Sequence, residues 1–159
     1  MGLKLDTPVG VISDTHGLLR DEALTLLEGC GLILHLGDVG HKPEHADILA
    51  RLEALAPVYT VRGNIDTADW ARALPATQTL TVNGWRLHLV HRLEDFDAST
   101  ACDAVLHGHS HKPFNGWRDG RLLFNPGAAG KRRFKLPLTL GKLWLNERVI
   151  RPAIIHLPL

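Results

Sequence analysis

Apolar positions along the chain follow two regimes. In the first half, short apolar runs alternate with helical periodicity. Val9 to Ser13 is a β-branched run that predicts a strand. Leu18 to Glu28 places Leu19, Ala23, Leu26 and Leu27 on one helical side, and Gly29 and Gly31 offer a stop. Leu32 to Leu36 predicts a second strand. Glu44 to Ala56 repeats the helical pattern through Ile48, Leu49, Leu52 and Leu55 before Pro57 ends it. Val58 to Val61 predicts a third strand. Strands alternating with helices of this length predict βαβ units and a largely parallel sheet.

From Thr77 onward hairpins take over. Thr77 to Val82 and Trp85 to Val90 flank Asn83-Gly84, and Phe114 to Trp117 and Arg121 to Phe124 flank Asp119-Gly120. Both dipeptides suit tight hairpin turns. Ala104 to Leu106 is a buried run between them, and Thr139 to Leu145 with Arg148 to His156 predicts a closing pair. The elements predict an α/β fold with two facing sheets and helices outside at least one. No repeat or linker divides residues 1–159, so a single domain is expected.

Composition changes this picture little. Apolar residues make up 45% and charged residues 22%, ordinary for a globular chain. A formal net charge of +1 argues against a general nucleic-acid binder. No apolar stretch approaches the ~20 residues of a membrane helix. The N-terminal MGLKLDTPVG lacks a signal-like apolar region, so a cytoplasmic location is expected. Cys30 and Cys102 read as reduced, buried thiols. The ten histidines are the unusual count.

Five apolar runs end in polar residues. They lead into Asp14-Thr15-His16-Gly17, Gly37-Asp38, Gly63-Asn64, His91, and His107-Gly108-His109-Ser110-His111. Ligands of open α/β sheets bind beyond the carboxyl ends of the strands. Asp14 and His16 are two apart, as are His109 and His111, so extended backbone would point each pair to one side. One His or one Gly-Asp at a strand tip is ordinarily a structural or turn residue. Five such tips together predict a shared pocket. Carboxylate and imidazole donors suit Mn, Fe, Zn, Co or Ni. Seven side chains exceed one tetrahedral site. They suit two metals ~3.5–4 Å apart, bridged by one carboxylate, as used for in-line displacement at phosphorus.

The motifs D-T-H-G at 14–17, G-D at 37–38, G-N at 63–64, His91 and G-H-S-H at 108–111 resemble the calcineurin-like metallophosphoesterases. The small size, G-N-I-D at 63–66 and N-P-G-A at 125–128 resemble the YfcE-type branch, which also contains the small retromer subunit. The resemblance implies a four-layer α/β/β/α sandwich with a dinuclear site. It implies a first metal on Asp14, His16 and His111, a second on Asn64, His91 and His109, and Asp38 bridging. It implies a metal-bridging hydroxide as nucleophile, two divalent ions with Mn favoured, and Asn64 reaching a substrate oxygen.

Two positions depart from the pattern. Superfamily phosphatases often carry a His after Gly-Asn, and here Ile65 stands there. Asp66 is read as that missing acid's orienting partner. A general acid contributes about 10²–10⁴-fold, so its loss favours diesters or activated esters over alkyl monoesters. Arg92 replaces a usual Gly and is expected to crowd the site or add positive charge.

Other polar residues carry weaker readings. His107 reads as structural, His35 as a buried group supporting Asp38, and His41 as exposed. Lys131, Arg132, Arg133 and Lys135 read first as a solvated loop and second as a phosphate contact centred on Arg133. Arg62 has a similar claim. Trp70, Trp85, Trp117 and Trp144 read as core or interface. The expected activity is phosphodiester hydrolysis on a small or nucleotide-like substrate. The alternatives are a phosphomonoesterase or nucleotide pyrophosphatase, a nuclease, or a non-catalytic scaffold. A homo-oligomer could form through the C-terminal strands with Trp144 and Ile155.

Overall fold

The computed structural model describes residues 2–159. Ten strands form two five-stranded sheets. The strands are β1 (Val9–Ile12), β2 (Leu32–His35), β3 (Val58–Thr60), β4 (Thr77–Val82), β5 (Trp85–Val90), β6 (Ala104–Leu106), β7 (Phe114–Arg118), β8 (Arg121–Asn125), β9 (Thr139–Leu145) and β10 (Ile150–His156). The first sheet has the order β10-β9-β1-β2-β3, and the second β4-β5-β6-β8-β7. Strands β1, β2 and β3 are parallel, as are β5, β6 and β8. The remaining neighbours, including the closing pair, run antiparallel.

Alternation in the strands explains the layers. Val9, Val11, Leu32 and Leu34 of the first sheet face Leu87, Leu89, Leu106, Leu122 and Phe124 of the second in one buried cluster. The opposite faces of β1 and β2 present Ile12 and Ile33 to two helices, α1 (Asp21–Leu27) and α2 (Ala46–Glu53). Ala23 and Leu27 of α1 and Ile48 and Leu52 of α2 fill that second layer. The outer face of the second sheet is covered differently. A one-turn 3-10 segment, Leu93–Asp95, and Phe96 pack over Val90, Val105, Leu123 and Cys102 there. The sandwich is therefore α/β/β, with a thin fourth layer of 3-10 turn and loop.

The helices are shorter than their apolar patterns. Leu18 and Leu19 belong to the turn before α1, and Pro43–His45 forms a 3-10 turn before α2. Both expected hairpins form, with Asn83 at φ 51 and Gly84 at φ 84, and Asp119 at φ 54 and Gly120 at φ 76. Cys30 and Cys102 are buried and free. Trp117 and Trp144 are exposed and belong to no core, whereas Trp70 packs beside α2 and donates Nε1–H to Lys42 O. No helix among the described residues is long and apolar enough to cross a membrane.

Candidate metal centre

The strand ends converge on one edge. Beyond β1 and β2 the parallel pairing continues into the loops, since the N–H groups of Asp14, His16 and Gly17 donate to Gly37 O, Asp38 O and Val39 O. Across the second sheet Gly108 N–H donates to His91 O. These bonds bring the loops 14–17, 37–39, 91 and 108–111 side by side. Asp14, His16 and His111 form one group of donors whose ligand atoms lie within 4.8 Å of one another, and Asp38, His91 and His109 form a second. Asn64 joins the second group, its Oδ1 accepting from His109 Nδ1 at 3.2 Å. All seven side chains named from the sequence are thus in one place.

The local backbone departs from expectation. Asp14, His16, Asp38, His109 and His111 all have positive φ, from 47° to 71°. The two-residue spacings therefore do not work through extended chain. Left-handed turns aim the side chains inward, at a cost of about 1–3 kcal/mol each. The loop-to-loop hydrogen bonds hold them there.

Asp38 connects the groups. Its Oδ2 lies 3.4 Å from His16 Nε2 and 3.2 Å from His91 Nε2. Its Oδ1 accepts from Ile65 N–H at 3.0 Å. Asp14 Oδ1 faces His111 Nε2 at 3.4 Å and His16 Nε2 at 3.6 Å. Asp14 Oδ2 accepts from Ser13 Oγ–H at 2.7 Å and from His109 N–H at 3.0 Å. His91 Nδ1–H donates to Leu36 O at 2.7 Å, which leaves Nε2 as the ring nitrogen directed at Asp38.

Asp14 Oδ1, His16 Nε2 and His91 Nε2 are buried with no hydrogen-bond partner. Orphaned buried groups are costly unless something else satisfies them. Three inward atoms of the borderline nitrogen and oxygen type fit a divalent transition metal. The electrostatics agree. Burial opposes charge on Asp38, but contacts with His16 and His91 hold its carboxyl well below the usual range. Burial also opposes charge on Asp14, and contacts with His111 and His16 lower it. Burial lowers the His16 imidazole, yet Asp14 and Asp38 outweigh it and raise it to about 9. Protons shared between carboxylates and imidazoles occupy the positions a cation would take.

Asp66 does not orient a catalytic acid. Its Oδ2 accepts from Gly63 N–H at 2.7 Å and Asp38 N–H at 3.0 Å, and its Oδ1 from Gly40 N–H at 3.1 Å. These three bonds hold the loops together. Arg92 does not enter the site either. Its guanidinium turns outward to Asp95, with Nε 3.0 Å from Oδ2. His107 is buried outside both donor groups, and burial lowers it to about 4.

His35 sits under the loops as expected. Thr15 Oγ1–H donates to Val39 O, so His35 Nε2–H donates to Thr15 Oγ1 at 3.0 Å, and Gly37 N–H donates to His35 Nδ1. That fixes a neutral imidazole, and burial lowers it to about 4. His41 is exposed, its ring 5.7 Å from that of His45. His45 received no reading from sequence, yet its ring lies against Gly17 and Gly40, beside two donor loops. Ser13 was likewise missed, because a serine at a strand end carries no distinguishing pattern. Arg62 and Arg133 are exposed.

Fold and site together define a metallophosphoesterase. Residues 8–147 match the calcineurin-like phosphoesterase superfamily domain, and the chain belongs to that family. It is 32% identical over 137 residues to a probable metallophosphoesterase of Methanothermobacter thermautotrophicus, spanning 76% of each chain. The phosphoesterase YfcE of E. coli is 27% identical with a TM-score of 0.71, covering 94% of this chain and 99% of that one. Vps29 of Chaetomium thermophilum has a TM-score of 0.74 at 14% identity, covering 96% and 98%, a likeness of fold alone.

Proposed function

We propose that the chain is a dinuclear metal-dependent phosphodiesterase acting on a small diester. The observation that carries this reading is the position of Asp38 Oδ2, between His16 Nε2 of one donor group and His91 Nε2 of the other. One carboxylate oxygen so placed suits a bridge, with Asp14, His16 and His111 on one side and Asn64, His91 and His109 on the other. Two divalent cations, with Mn, Zn, Fe, Ni or Co all compatible with these donors, would supply a nucleophilic water at neutral pH and offset charge on the phosphoryl oxygens. Ile65 N–H donates to the second oxygen of Asp38, which restrains rotation of the carboxylate and would keep Oδ2 turned toward both donor groups. The amide of Asn64 is exposed at the rim, where its Nδ2 can donate to a phosphoryl oxygen.

Diesters are favoured because the position after Asn64 is Ile65, whose side chain has no ionisable proton, and Asp66 is engaged with three backbone N–H groups. Without a proton donor there, poor leaving groups suffer most. A monoesterase or nucleotide pyrophosphatase on the same donors is the nearest alternative. A non-catalytic scaffold of the same fold is the other alternative, and the seven intact donors weigh toward catalysis.

The test is hydrolysis of an aryl phosphodiester and the matching monoester by chelator-stripped protein, with and without Mn²⁺, beside Asp38→Asn. Metal-dependent diester cleavage that exceeds monoester cleavage, and falls more than about 100-fold in the variant, supports the reading. No turnover by protein that demonstrably binds metal would favour the scaffold. Undiminished turnover in Asp38→Asn would remove the bridge.

A further inference from the structure

We propose that the loop 131–135 is a substrate-recognition arm that stacks Phe134 on an aromatic base, so that the diester is nucleotide-like. The inference rests on the phosphodiesterase reading above and specifies its substrate.

The arm is anchored to the metal centre by its preceding residues. Asn125 Nδ2–H donates to Gly108 O and to Ser110 Oγ, within the histidine loop. Ala129 N–H donates to Ser13 O, and Arg20 Nε–H donates to Gly130 O. Gly130 lies so close to the backbone of Thr15 that a Cβ there would fall on Thr15 O. Thr15 stands between the donors Asp14 and His16. The chain then leaves this contact as Lys131-Arg132-Arg133-Phe134-Lys135, all exposed, and turns back where Leu136 N–H donates to Arg133 O. Thr139 N–H donates to Ala128 O, closing the base of the loop.

Two features set the loop apart. Phe134 is 89% exposed at φ 54, and no apolar neighbour shields it. An aromatic side chain held out on left-handed backbone is costly unless something covers it. Around it stand Lys131, Arg132, Arg133 and Lys135, four cations within five residues and the densest basic run of the chain, and none of them pairs with a carboxylate among the described residues. A ring with unpaired cations suits a ligand that offers both a π-face and phosphate. Such a ligand is a nucleotide. The net charge of +1 and the shortness of this basic run favour a mononucleotide- or dinucleotide-sized diester over a long polyanion.

The arm can be tested by binding, apart from turnover. Adenosine monophosphate and inorganic phosphate are titrated separately into Mn²⁺-loaded protein by calorimetry, for wild type, Phe134→Ala and Phe134→Trp. The ratio of nucleotide to phosphate affinity should fall about fivefold in Phe134→Ala, the low end for base stacking, and be kept in Phe134→Trp. Arg133→Ala should weaken both ligands. An unchanged ratio in Phe134→Ala, with phosphate still binding, overturns the arm and leaves the phosphodiesterase reading intact. Failure of both ligands to bind the metal-loaded protein overturns the two together.

Discussion

The carboxylate of Asp66 accepts a hydrogen bond from the backbone N–H of Asp38 at 3.0 Å, so one acid holds the other in place. The same carboxylate also takes the N–H groups of Gly63 and Gly40 and ties the loop after β3 to the loop after β2. Asp38 sits at φ 55, and this staple is what opposes its relaxation.

Asp66→Ala therefore leaves three backbone donors without their acceptor and frees a strained loop. Chemical denaturation should show a loss of about 2–4 kcal/mol, given about 1–3 for each buried group left unsatisfied and partial rescue by water. Metal titration should show affinity weakened about 10–100-fold, the usual effect of removing an outer support. Wild-type stability in the variant would mean that the loops hold themselves.

Much of the site was legible in the sequence because its residues have unusual chemistry at repeated positions. Two Asp, one Asn and four His, each at the tip of an apolar run, required convergence once the sheet was parallel. The supports were not legible. Ser13 acts on its neighbour Asp14, while Thr15 and Asp66 bind backbone of loops distant in sequence, a role that the motifs containing these two do not reveal. The pairing rationale for Asp14 with His16 failed because left-handed backbone replaces extended chain there. Arg92 was misplaced because its partner Asp95 lies in a 3-10 turn that periodicity does not reveal. The outer face of the second sheet has the same cause, since the 3-10 turn Leu93–Asp95 and its loop cover it where the family resemblance implied a helix.

His35 makes stability depend on pH in the metal-free protein. Its imidazole is lowered from 6.5 to about 4 by burial. Between those values the unfolded chain takes up a proton that the folded protein refuses. The contribution of the neutral ring is complete above pH 6.5 and is lost as pH falls, levelling off below about 4. His35→Gln keeps an acceptor for Gly37 and a donor for Thr15 but does not titrate. Urea unfolding with chelator present should show the wild-type advantage over His35→Gln shrinking by up to about 3 kcal/mol across that window. A constant difference would place the proton elsewhere.

Ser13 offers a selective probe of the other half of the centre. Its Oγ–H donates to Asp14 Oδ2 at 2.7 Å, both residues being fully buried. Gly108 closes the space beside them, since a Cβ there would fall on Ser13 Oγ. Ser13→Ala removes a hydrogen bond to a charged acceptor, worth about 1.5–3 kcal/mol. His109 N–H remains on the same oxygen, so Asp14 loosens without being released. Asp38 and His91 are held by different groups, Ile65 N–H, the Asp66 carboxylate and Leu36 O, none of which touches Ser13. On the two-metal proposal, one of the two equivalents should therefore weaken about 10–100-fold in Ser13→Ala while the other keeps its affinity. In Asp66→Ala the loosened residue is Asp38, whose Oδ2 faces both donor groups, so both equivalents should weaken. Stepwise metal titration of the two variants separates these effects. Two equivalents weakening in parallel in Ser13→Ala would mean that the centre binds both metals as one indivisible unit, coupled through Asp38.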